Sequence, residues 1–245
     1  MGFSLNQILN ISRSGMIARL LDLDVTSNNL ANTNTSGYKS NRSNFQELLD
    51  KERFTGTQLV ATQRSNLQGA LAISPNSWDL AVEGPGYFGI TLPDGQTAYT
   101  RDGHFNLDSN RQLVDASGHP VIWQGQIPQD AQEFHVNPDG TIMARQDTTW
   151  TQVGTIQLYR FPNPNGLNSY SQNMVMETAV SGAPVAGTPD SDNYGRIVGG
   201  ALEASNVNIS NEMTQLISVQ RSFSLSLRTF QSTDQMISQA IHMRG

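Results

Sequence analysis

The chain contains no cysteine among its 245 residues, so neither a disulfide framework nor a thiolate metal site is open to it, and its fold must rest on packing. Charge is scarce as well. Asp, Glu, Lys and Arg together make up 15% of the residues, with 15 basic against 21 acidic for a formal net charge of -6. Phosphate binding calls for a clustered excess of Lys and Arg, which is missing, so nucleic acid is not an expected partner. No run of about 18 apolar residues occurs, which argues against membrane insertion. The N-terminus has no lysine-led region, sustained apolar stretch or small-residue cleavage site, which argues against a Sec-type signal.

Chemistry-bearing residues are thin on the ground. The four histidines, 104, 119, 135 and 242, do not fall at metal-ligand spacing from one another. His104 beside Asp102 is the nearest approach to a catalytic pair, yet no G-x-S-x-G nucleophile elbow occurs and Asp102-Gly103 reads more simply as a turn. Glu83-Gly84-Pro85-Gly86 is glycine-rich, but Pro85 lacks an N–H and no helical pattern follows, so it is a poor phosphate cradle. No catalytic residue, metal or cofactor is therefore expected. Trp78, Trp123 and Trp150 leave a glycan-binding face as an alternative, which their burial would count against.

What the sequence does have is two similar ends around a different middle. Leu9, Met16, Leu23 and Leu30 recur every seven residues. So do Leu216, Phe223, Phe230 and Ile237, with Met213, Leu227 and Ile241 on a companion seam. Heptad stripes hide only against other helices, so these residues are the candidate assembly seams, met by the other end or by a neighbouring copy. The first helix is expected over residues 5–30, stopped by the Asn/Gly-rich run that follows. The second is expected over residues 213–243, with Ser210 as N-cap. Residues 39–51 are left open between a short helix and an extended piece.

Between them the period changes to two. Short β-type runs at Thr57-Gln58-Leu59-Val60-Ala61, residues 87–92, 141–144 and 154–159 are separated by Asp94-Gly95, Asp102-Gly103, Asp139-Gly140 and Asn165-Gly166. These dipeptides carry the chemistry of tight hairpins. Residues 181–195, rich in Gly, Pro, Asp and Ser, read as a loop. The expected class is α+β: a discontinuous, coiled-coil-like helical domain from residues 1–56 and 199–245, with an all-β middle domain of short antiparallel strands over 57–198.

The segment Ser27-Asn28-Asn29-Leu30-Ala31-Asn32-Thr33-Asn34-Thr35-Ser36-Gly37-Tyr38-Lys39 closely resembles the N-terminal signature of bacterial flagellar rod and hook proteins. Residues 79–88, Tyr99-Thr100-Arg101-Asp102-Gly103 and Leu202-Glu203-Ala204-Ser205-Asn206-Val207 are similar to that family's later motifs. Residues 160–167 and 177–189 look most like the distal-rod branch, with a proximal-rod paralogue as the alternative. The resemblance implies a non-enzymatic subunit of a hollow, self-assembling, periplasm-crossing drive shaft in the flagellar basal body. It implies partners among other rod subunits, the hook protein, the surrounding rings and the flagellar type III export apparatus, without a cleaved signal peptide. It also makes Asn28, Asn29, Leu30, Ala31, Asn32, Asn34, Gly37, Tyr38 and Lys39 a candidate loop for packing between subunits.

Overall fold

The computed structural model describes residues 5–50, 53–131, 133–171 and 173–242 and has an α+β fold, with one long helix near each end and many short antiparallel strands between. Contacts divide the described residues into two units. The first comprises those of 1–33, 40–65 and 207–245; the second comprises 34–39 and 66–206. Residues 57–64 thus fall with the helices, and 199–206 with the strands.

In the helical unit, α1 (Leu5–Ala31) and α2 (Ile209–His242) pack on each other and α1 also contacts a long hairpin of β1 (Asn41–Asp50) and β2 (Arg53–Arg64). Of the two options for residues 39–51, the described part shows the extended one over Asn41–Asp50, because β2 gives β1 an antiparallel partner along its whole length, with register shifts at Asn44/Phe45 and Leu48/Leu49. The second helix starts earlier than expected. Asn208, not Ser210, caps it: the Asn208 side-chain oxygen accepts the Asn211 N–H at 3.1 Å, as an N-cap requires. No described helix is long and apolar enough to cross a membrane.

In the β unit every pairing among the described strands is antiparallel. One four-stranded sheet runs in the order Glu133–Val136, Thr141–Gln146, Thr149–Ile156, Trp123–Gly125. A second runs Asn168–Ser169, Met174–Met176, Thr97–Thr100, Phe88–Thr91. The apolar core gathers Leu80, Val82, Phe88, Phe105, Leu113, Ile142, Ile156, Leu158 and Ile197, with the Phe88 and Phe105 rings edge to face at 5.1 Å.

Of the four turn dipeptides, two make hairpins. Gly95 and Gly140 sit at φ of 80° and 82°, and the preceding aspartates accept N–H groups from Gln96 and Thr141. Gly103 is needed for space instead, since a Cβ there would lie 1.5 Å from the Leu80 carbonyl oxygen. Asn165-Gly166 closes a single 3₁₀ turn. The expected loop over 181–195 contains a strand, Val185–Gly187, paired with Leu158–Arg160; three residues are too few to display a period.

Candidate assembly surfaces and a buried charge cluster

The two helices close one seam and leave others open. On α2 the closed seam is Leu216, Val219, Phe223, Ser226, Phe230, Thr233 and Ile237, spaced alternately three and four; Val219 and Thr233 are buried and the rest half-buried or nearly so. The predicted heptad Leu216, Phe223, Phe230 and Ile237 is one half of it. Among the described side chains of α1 the buried positions are Ser12, Ala18, Asp22, Thr26 and Asn29, with Gly15 lying against Ser226. Small and polar side chains therefore form the contact line, and the predicted Leu9, Met16, Leu23 and Leu30 are half-buried beside it.

The polar members are held by specific bonds. Asn29 donates to the Asn41 carbonyl and accepts the Asn41 N–H, each at 2.9 Å, so one side chain mimics a strand edge for β1. It also donates to Glu212 at 3.3 Å. Asp22 accepts from the Ser43 hydroxyl and, at 3.4 Å, from the Gln215 amide. Burying such groups is tolerable only because they are paired.

Large apolar side chains remain outside. Ile17, Leu20 and Leu21 on α1 are 47%, 50% and 38% exposed, and Ile209, Met213, Ile217 and Leu227 on α2 are 49%, 52%, 49% and 38% exposed. At 100° per residue the α2 set forms one stripe beside the closed seam. It includes Met213 and Leu227 of the predicted companion seam; the side chain of Ile241 lies outside the described residues. Between the helices, Leu20, Leu23, Val219 and Phe223 border a groove of about 290 Å³.

In the β unit two sequence motifs meet. The Gly37 N–H donates to the Glu203 carbonyl at 2.7 Å, and the Asn206 N–H donates to the Tyr38 carbonyl at 3.3 Å. At their centre Glu203, fully buried, accepts from the Lys39 ammonium and, at 2.8 Å, from the Gly69 N–H. Arg101 Nη1 lies 3.6 Å from the second carboxylate oxygen, and the guanidinium stacks 5.0 Å from the Tyr87 ring centre. Burial holds the Arg101 pKa below the ordinary guanidinium value, with Glu203 and Tyr87 acting against that shift.

Gly37, Tyr38 and Lys39 are buried in the β unit, whereas Asn28, Ala31 and Asn34 are exposed and Leu30 and Asn32 half-buried. Gly37 sits at φ +67°, where a Cβ would lie 2.5 Å from the Asp102 nitrogen. Gly37→Ala is expected to destabilise the chain by about 2 kcal/mol or more, from left-handed strain alone before the collision is counted; thermal unfolding checks it.

The catalytic alternative finds a different geometry. His104 pairs with Asp79, its Nδ1 at 2.9 Å, and the Ser74 hydroxyl bonds the same carboxylate rather than the imidazole. That arrangement gives this serine no base to activate it. Among the described residues no cluster of three or more metal-ligating His, Cys, Asp or Glu side chains occurs. Trp78 and Trp123 pack against the core, while Trp150 is 44% exposed beside Arg145.

Three family models match along the chain: "Flagella basal body rod protein" over residues 9–39, "Flagellar hook protein FlgE/F/G D1 domain" over 81–144, and "Flagellar basal body rod FlgEFG protein C-terminal" over 198–243. The chain is 35% identical to the flagellar basal-body rod protein FlgG of Buchnera aphidicola subsp. Schizaphis graminum, covering 93% of this chain and 95% of that one. Identity is also 35% to FlgG of Caulobacter vibrioides, over 98% and 100% of the two chains. It is 32% identical to the rod protein FlgF of Mesorhizobium japonicum, over 94% and 95%. With these identities spanning nearly its whole length, the chain belongs to the flagellar basal-body rod protein family.

Proposed function

We propose that the chain is a structural, non-enzymatic subunit of the distal flagellar rod that self-assembles into a hollow helical shaft and transmits torque from motor to hook. The observation that carries this is the helix pair, in which one seam is satisfied within the chain while apolar stripes on both helices stay exposed. Identical subunits joined by non-closing, head-to-tail contacts build an open filament. Stripes on more than one side of a helix pair supply contacts in more than one direction. The seam residues from Leu9 to Leu30 and from Met213 to Ile237 hold the helical unit and its neighbours together in this reading. The exposed Asn28, Ala31 and Asn34 are the part of the Asn/Gly loop available to a neighbour.

Other rod subunits, the hook protein and the surrounding rings are the partners that follow, with export through the flagellar type III apparatus. A rod paralogue at a proximal position is the second reading. Electron microscopy of the purified chain after concentration, with and without isolated basal bodies as seeds, tests the proposal. Tubes, or growth on the seeds, are expected; discrete monomers under both conditions would refute it.

A further inference from the structure

The β unit contains an open cavity of about 310 Å³ lined by two arginines, Arg101 and Arg160, together with Asn66, Gln68, Tyr87 and Phe161. No carboxylate lines it among the described residues. Arg101 is only 8% exposed, its Nε makes no hydrogen bond, and its Nη1 contacts are long: 3.6 Å to Glu203 and 3.4 Å to the Val82 carbonyl. Lys39 occupies the other oxygen of Glu203. The buried group therefore holds two cations and one anion, a net charge of one positive. Arg160 adds a second, since among the described residues it has no carboxylate partner and rests 5.8 Å over the Tyr194 ring.

Excess positive charge around a buried guanidinium such as that of Arg101 is unfavourable until an anion enters, and guanidinium pairs favour planar, two-oxygen acceptors. The chain supplies such anions itself. Its formal charge is -6, and Asp94, Asp130, Glu177 and Asp192 lie exposed on its surface. A basic cavity and acidic projections on one surface are the two halves of a heterologous contact between identical subunits. We propose that the Arg101–Arg160 cavity binds a carboxylate side chain presented by a second copy of the chain in the assembled state. The occupant, though not the cavity's preference for carboxylate, rests on the assembly reading above.

Two arms test this with the full chain. In the monomer, glutarate is titrated while the arginine side-chain N–H signals are followed by NMR. The Arg101 and Arg160 signals are expected to shift in the parent, and the remaining Arg101 signal is expected not to shift in Arg160→Glu. No shift in the parent, or a stronger response to inorganic phosphate than to glutarate, overturns the carboxylate assignment. In assembly, Arg160→Glu is expected to keep the monomer's unfolding midpoint and to raise the critical concentration about tenfold. One of Asp94→Lys, Asp130→Lys, Glu177→Lys or Asp192→Lys should restore assembly to it. Assembly of Arg160→Glu at the parent concentration, or failure of every reversal, overturns the second-copy occupant. A parent that binds glutarate but never assembles locates the failure in the rod reading; one that assembles without a glutarate shift locates it in the cavity.

Discussion

Glu203→Gln is expected to lower the unfolding midpoint by about 10 °C. The carboxylate is fully buried and is the counter-charge for both Lys39 and Arg101. Removing one member of a buried ion cluster leaves the others uncompensated and costs about 3–5 kcal/mol. For a chain of this size each kcal/mol moves the midpoint by about 2–4 °C. Glutamine keeps the volume and can still accept the Gly69 N–H, so the loss isolates the charge. Lys39→Met is expected to cost less, because Arg101 remains to balance Glu203. Differential scanning calorimetry on the two variants decides the matter: equal midpoints for Glu203→Gln and parent would mean that the cluster contributes nothing. The consequence reaches past stability, since Glu203 ties the 34–39 segment to the 202–206 segment, so its loss should free the Asn/Gly loop.

The second large effect is on assembly. Met213 and Ile217 are about half exposed on one stripe of α2, beside and not part of the seam closed by Val219 and Phe223. Met213→Ser with Ile217→Ser should therefore leave the monomer's helices intact. If a neighbour covers the exposed half of each side chain, each contributes about 1 kcal/mol on burial. Losing both raises the critical concentration about tenfold or more, at 1.4 kcal/mol per decade. Sedimentation of parent and variant over a concentration series, with circular dichroism as the fold control, measures it. A variant that assembles like the parent would remove this stripe from the interface.

Much of this architecture was legible because it is periodic. The Leu216, Phe223, Phe230 and Ile237 heptad announces a helix, and alternating runs such as Thr141-Ile142-Met143-Ala144 announce strands. The partner line on α1 was not legible. Its buried residues, Ser12, Asp22, Thr26 and Asn29, are ones that hydrophobic patterning assigns to solvent; only the geometry of β1 and α2 gives Asp22 and Asn29 their partners, while Thr26 bonds the Asp22 carbonyl of its own helix. Residues 41–50 carry a mixed signal, Gln46, Glu47, Leu48 and Leu49 favouring helix, and pairing with β2 overrides it. Glu203 gave no chemical signal at all. A lone glutamate in a short motif reads as surface, and its role appears only when Lys39 and Arg101, distant in sequence, are brought to it. The choice of Asn208 over Ser210 as cap was a two-residue matter of where the first turn closes, which side-chain preference alone does not fix.

Because the chain has no cysteine, a single introduced thiol reports one position without background. The most direct measurement is the maleimide labelling rate of Ile217→Cys in the monomer and in the assembled state, with the assembly redissolved in urea as the full-labelling reference. Coverage of the α2 stripe by another copy predicts fast labelling in the monomer and strong protection in the assembly. Equal rates in the two states would contradict it.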